Sequence, residues 1–79
     1  RTRLQILTML LQTEKLSFNE IKTTLGISDG NLASHLRILE REGYIKVEKT
    51  FVNRRPRTYY SLTEKGKKEF LEYLSQLEA

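Results

Sequence analysis

Ile27-Ser28-Asp29-Gly30-Asn31-Leu32-Ala33-Ser34-His35-Leu36-Arg37-Ile38-Leu39-Glu40-Arg41-Glu42-Gly43-Tyr44-Ile45 decides how this chain folds. Leu32, Leu36 and Leu39 recur at i, i+4 and i+7, the spacing of one helical face. Ser28 suits the N-cap, where its hydroxyl can accept from a free amide of the first turn. Asp29 follows at the positive end of the helix dipole, and Gly43 can stop the helix. With Leu32 at zero and about 100° per residue, Gly30, Ser34 and Arg37 fall at about 160°, 200° and 140°, opposite the leucines. Asn31 and Ala33 flank them. Gly30 and Ala33 let the backbone come close to a partner. The amide and hydroxyl groups suit base edges, and Arg37 suits guanine or phosphate.

Upstream, Leu4, Leu7, Leu10 and Leu11 keep helical spacing, and Ile6 and Met9 widen the stripe beyond one face. This predicts a first helix over about 2–12. Lys15-Leu16-Ser17-Phe18 is a short extended link with room for a brief strand between the first two helices. Asn19 is the expected N-cap of a second helix, with Glu20 in its first turn and Ile21 and Leu25 inward. Gly26 is suited to end it with a positive φ, and Ile27 is the expected buried pivot. Helix, glycine-containing turn, helix is a helix-turn-helix, whose second helix enters the major groove.

Downstream the period changes from 3.6 to 2. Tyr44-Ile45-Lys46-Val47-Glu48-Lys49 alternates, and Phe51-Val52 extends it. Asn53-Arg54-Arg55-Pro56 is a turn cluster without the Asn-Gly of a tight hairpin. Arg57-Thr58-Tyr59-Tyr60-Ser61-Leu62 alternates again, with Thr58, Tyr60 and Leu62 on one face. Thr63 caps a last helix bearing Phe70, Leu71, Leu74 and Leu77. The expected architecture is mostly α with a small β-hairpin, in the order α-α-α-β-β-α.

The 27–45 stretch resembles the recognition-helix signature of winged helix-turn-helix regulators of the MarR/ArsR type. Ser28, the small Ala33, His35-Leu36, Leu39-Glu40, Gly43 and Ile45 carry that likeness. Tyr59-Tyr60-Ser61-Leu62-Thr63-Glu64-Lys65-Gly66 is similar to the family's passage from wing to last helix. The resemblance spans nearly the whole chain and is nearest to a compact archaeal and bacterial subgroup. It implies a homodimer on a palindromic operator, with Arg54, Arg55 and Arg57 near the adjacent minor groove or backbone. The metal-binding cysteine clusters and histidine–carboxylate sets of ArsR-type sensors are not in this sequence. No cofactor or metal is expected, and an effector is left open.

Charge agrees with a nucleic-acid partner. The 79 residues carry 14 basic and 10 acidic side chains, a net charge of +4. Lys46, Lys49, Arg54, Arg55 and Arg57, against Glu48, account for all of it, and the remainder is balanced. A solvated edge that resists aggregation is the plainer reading of such a segment. Guanidinium forks suit phosphate better. The candidate DNA-binding residues are therefore Ser28, Gly30, Asn31, Ala33, Ser34 and Arg37 on the helix (about 28–42), and Lys46, Lys49, Arg54, Arg55 and Arg57 on the wing (about 46–57). Arg37 could serve base or backbone. His35, at the edge of the leucine stripe, reads first as a structural histidine, then as a DNA contact. Tyr60 reads as core, whereas Tyr59 is open.

The chain has no cysteine, so disulfides, thiolate zinc sites and cysteine nucleophiles are excluded. No apolar run long enough to cross a membrane exists, and the first fifteen residues lack the pattern of a secretory leader. A cytoplasmic location is expected. No nucleophile–base pair or phosphate-cradling glycine loop suggests an enzyme. The competing class is a winged helix used for protein interaction, which would have no need of three wing arginines. A domain this small buries only about 60% of the surface of its unfolded chain. Leu4, Leu7 and Leu11 on the first helix, and Phe70, Leu74 and Leu77 on the last, exceed what one small core can use. Residues 1–79 are thus expected to form one DNA-binding domain whose end helices pair two copies.

Overall fold

The computed structural model describes residues 2–78 and, for residue 78, the backbone alone. The elements are α1 (Thr2–Leu11), β1 (Leu16–Ser17), α2 (Phe18–Leu25), α3 (Asp29–Arg41), β2 (Ile45–Val52), β3 (Arg55–Leu62) and α4 (Glu64–Glu78). The three strands form one antiparallel sheet in the order β1-β3-β2. The brief strand between the first two helices is present. It pairs Leu16 with Tyr60 and Ser17 with Tyr59.

Every helix and β2 contribute to one core, formed by Ile6, Leu7, Leu10, Ile21, Leu32, Leu36, Leu39, Ile45 and Phe70. The leucine stripe of α3 is wholly buried, as its spacing requires. This fixes which face of α3 is left outside. Ile27 is half-buried rather than fully enclosed.

Three local devices set the angles between these elements. The first corrects the expected cap of α2. Ser17, not Asn19, is its N-cap. The Glu20 amide donates to Ser17 Oγ at 3.2 Å and the Ser17 amide donates to Glu20 Oε1 at 2.8 Å. This reciprocal capping box satisfies two otherwise unpaired amides. It also explains why Ser17 is polar and yet 2% exposed. Gly26 ends α2 at φ 66°, and its amide donates to the Lys22 carbonyl.

The second device is Thr63. Its hydroxyl accepts from the Gly66 amide at 2.9 Å and donates to the Gly43 carbonyl at 2.6 Å. One side chain thereby starts α4 and ties it to the turn after α3. Gly66 is buried, and a Cβ there would collide with the Tyr44 carbonyl. The resemblance to a threonine and glycine three residues apart thus has a steric cause. Lys65 completes the junction by donating to the Glu42 carbonyl at 2.9 Å, a cation at the negative end of α3.

The third device is the hairpin turn. Val52 pairs with Arg55, leaving only Asn53 and Arg54 in the loop. Their φ values of 54° and 66° put both in the left-handed region, the conformation of a tight type I′ turn. The expected four-residue turn cluster is therefore a two-residue turn. Arg55 and Pro56 belong to β3, and Arg54 occupies the place where glycine is favoured.

Surplus apolar surface is smaller than the sequence suggests. Leu7 and Phe70, expected to face a second copy, are 8% and 5% exposed and belong to the chain's own core. Leu11 and Leu74 are half-buried against that core. Leu4 and Leu77 are exposed, as are Leu71 and Tyr73.

Candidate nucleic-acid interface

Ser28 caps α3 through its hydroxyl, which accepts from the Asn31 amide at 3.2 Å. With the leucines buried, Gly30, Asn31, Ser34 and Arg37 are exposed on the opposite side. Ala33 is half-buried and widens the face rather than leading it. The space around Gly30 is empty, so no packing demand explains the missing side chain. The helix backbone is open to close approach at that point. Asp29 would oppose a polyanion, but it pairs with Lys22 of α2 at 2.6 Å. Such an exposed pair adds little stability. Here it neutralises the one acid at the leading end of the helix.

His35 is half-buried, and its Nδ1 is enclosed without a hydrogen-bond partner. The expectation of a structural histidine bonded within the fold is not met at that atom. Among the described residues no group of three or more histidine, cysteine, aspartate or glutamate side chains could hold a metal ion.

The basic hairpin is divided by its register. Partners in the ladder share a face, and faces alternate along each strand. Ile45–Leu62, Val47–Tyr60, Lys49–Thr58 and Phe51–Pro56 lie on the face that begins in the core. Lys46–Ser61, Thr50–Arg57 and Val52–Arg55 lie on the other. Lys49 is thus on the helix-ward face, Lys46, Arg55 and Arg57 are on the outer face, and Arg54 is at the tip. All five are exposed. The twelve-residue charge cluster is therefore a basic rim around the whole wing, not a patch on one side. Between β3 and the start of α2 lies an open concavity of about 620 Å³, lined by Phe18, Asn19, Arg55, Pro56, Arg57 and Thr58.

The tyrosines separate as their strand positions dictate. Tyr60 packs on Phe18 with ring centroids 6.5 Å apart, and burial, with Glu40 nearby, raises its hydroxyl pKa above the ordinary value. Tyr59 faces the other way, with Lys15 Nζ 4.6 Å from its ring centre. Its ring holds a cation at the edge of β1. Tyr44 is held above its ordinary pKa by a hydrogen bond to Glu69 and that carboxylate's charge. It sits with Leu4, Leu7, Gly66, Glu69, Phe70 and Tyr73 around a groove of about 310 Å³ between α1 and α4.

The sequence pattern missed two features at this surface. The Ser-x-x-Glu box at 17–20 was available as a signal and would have placed the cap. Phe51, 73% exposed on the wing, stands in the sequence as an extension of the strand and, with Tyr44, Tyr59 and Tyr60, as one of four aromatics that could stack on bases. No feature of the period-2 pattern separates an exposed Phe from a buried one.

Residues 2–79 match the family model of the winged helix DNA-binding domain. An uncharacterised protein of Methanocaldococcus jannaschii is 35% identical over 75 residues, covering 95% of this chain and 82% of its own. A transcriptional regulator homologue of Pyrococcus horikoshii OT3 superposes with a TM-score of 0.89 at 41% identity, covering 96% of this chain and 75% of that one. PadR of Bacillus subtilis, solved in complex with operator DNA, superposes at 0.78 with 26% identity. That alignment covers 91% of this chain and 45% of PadR.

Proposed function

Because this chain belongs to the winged helix DNA-binding domain family, we propose that it reads duplex DNA as the DNA-binding part of a cytoplasmic transcriptional regulator of the MarR/ArsR type. One observation carries the reading. The leucine face of α3 is fully buried, so the face with Gly30, Asn31, Ser34 and Arg37 is the one α3 offers, beside a hairpin rimmed with five cations. A helix with small and amide-bearing residues at its leading end fits the major groove. Asn31 and Ser34 would contact base edges, and Arg37 a guanine edge or phosphate. Lys46, Lys49, Arg54, Arg55 and Arg57 would hold the flanking backbone. The activity is binding, not catalysis.

The active form is a homodimer. Leu4 of α1 and Leu71, Tyr73 and Leu77 of α4 are exposed along the terminal helices, 39% to 65% open to solvent. Two-fold pairing would bury them and set two recognition helices about 34 Å apart, one turn of DNA. The superposition on a relative solved in complex with operator DNA supports duplex DNA as the partner.

Selection of bound sequences from a random duplex pool, followed by salt titration on the enriched duplex, tests it. The affinity should fall linearly with log salt, at about −0.9 per phosphate contact. No enrichment and a flat salt response would remove DNA as the partner and leave a protein-interaction module.

A further inference from the structure

Phe51 has no role in the fold. It is 73% exposed and lies outside the hydrophobic core and outside the partly buried residues packed on it. The other two phenylalanines are placed otherwise: Phe70 is 5% exposed, and Phe18 is half-buried against Tyr60. Solubility alone would favour a polar residue at this position of an edge strand, where an exposed apolar side chain invites aggregation. Phe51 pairs across the ladder with Pro56, also exposed. Proline has no amide to donate and adds a rigid apolar ring beside the phenyl. The two form a small apolar ridge on the helix-ward face of the wing, one residue from the tip turn.

The surroundings identify what the ridge fits. Lys49 precedes it on the same face, Arg54 is at the tip, and Arg55 and Arg57 flank Pro56 on the opposite face. Glu48, the one acid of the hairpin, is on the outer face. An apolar protein groove would account for the ridge but has no need of the cations, and a flat anionic lipid surface would meet those on one face of the wing, not on both. A duplex groove accounts for both. Its phosphate walls take the cations, and its deoxyribose lining is the apolar part. Apolar side chains inserted into the minor groove among basic residues are an established physical solution.

We infer that Phe51, backed by Pro56, packs against the deoxyribose wall of the minor groove next to the major groove that α3 enters. The inference rests on the proposed DNA reading and adds a contact independent of charge. The cations neutralise phosphates and position the wing. The ring removes water from the sugar wall and tells the wing how wide the groove is.

The chain contains no tryptophan, so Phe51→Trp introduces a single reporter without background. On a duplex enriched from the random pool, the indole emission should shift to the blue and acrylamide quenching should fall. Netropsin, which fills the minor groove, should reverse both. Phe51→Ala should bind roughly tenfold more weakly, the size expected for losing a buried ring. Its salt slope should equal that of the parent, because no phosphate contact is lost. Arg54→Ala should instead lower that slope by about one unit.

An indole that remains solvent-exposed on a duplex shown by anisotropy to be bound overturns the inference and leaves the DNA reading intact. So does a blue shift that survives netropsin, and so does one that follows protein concentration without DNA, which would assign the ring to self-association. Failure of the parent chain to bind any duplex overturns the DNA reading, and the inference with it.

Discussion

Arg54 and Gly66 stand at the two extremes of backbone tolerance, and each yields a test. Arg54 has φ 66°, in a turn whose geometry favours glycine. A non-glycine residue there costs on the order of 1 kcal/mol. Arg54→Gly should therefore stabilise the isolated protein, raising Tm by roughly 4–8 °C per kcal/mol for a domain of this size. The same change should weaken duplex binding and lower the salt slope by about one. Thermal denaturation and a salt titration on one sample decide it. A lower Tm would mean that the arginine is held by contacts within the fold. Gly66 is the reverse case. Gly66→Ala must push α4 away from the Tyr44 carbonyl, which also receives the Thr63 amide. A loss of about 1–3 kcal/mol is expected, in the range of overpacked sites. Urea unfolding followed by circular dichroism measures it, and a loss below about 0.5 kcal/mol would show that the junction yields freely. Neither residue's situation could be read in the sequence with equal ease. The Thr63–Gly66 spacing pointed to a constraint through resemblance, whereas Arg54 concealed a tight turn behind the wrong residue type.

Among the elements, the helices were legible because burial writes its period into the sequence. The stripe Leu32, Leu36, Leu39 predicted the inner face of α3, and hence its outer one, without coordinates. The wing was legible only as two alternating runs. Its register depends on the turn: the tight turn pairs Val52 with Arg55 and draws Arg55 and Pro56 into β3, where a four-residue loop would leave them outside the ladder. Five cations within twelve residues of sequence thus lie at a tip and on two faces. That division predicts a split between specificity and affinity. Asn31→Ala and Ser34→Ala on α3 should change which duplexes are enriched from a random pool, while affinity for non-specific DNA stays within about twofold. Arg55→Ala with Arg57→Ala should weaken all sequences together and reduce the salt slope by about two. Should the α3 variants leave the enriched sequence unchanged, another element reads the bases. Should the wing variants leave non-specific affinity unchanged, the outer face of the hairpin points away from the duplex.

At the scale of the whole molecule, the question is what the terminal helices do with their remaining apolar surface. Counting leucines in the sequence overstates the surplus, since Leu7 and Phe70 are committed to the core and Leu11 and Leu74 lean on it. The exposed set is Leu4, Leu71, Tyr73 and Leu77, beside the groove that Tyr44 and Glu69 help to line. This separates assembly from folding in a way that substitution of a core leucine could not. Leu7→Glu should unfold the chain, because it puts a charge into the core. Leu4→Glu with Leu77→Glu should leave the helical circular dichroism nearly unchanged, because both positions are open to solvent, and should lower Tm only by what the lost contact between copies contributes. If those leucines meet a second copy, each contributes roughly 2 kcal/mol by burial. Losing two per protomer should then dissociate a micromolar dimer completely. Sedimentation would show the parent near twice 9.3 kDa and the double variant at 9.3 kDa. The variant should also lose affinity for a two-half-site duplex far more than for a single half-site, since two linked contacts become two separate ones. A parent that sediments as a monomer both alone and on DNA would leave these leucines without a partner copy and make one recognition helix per duplex the functional unit.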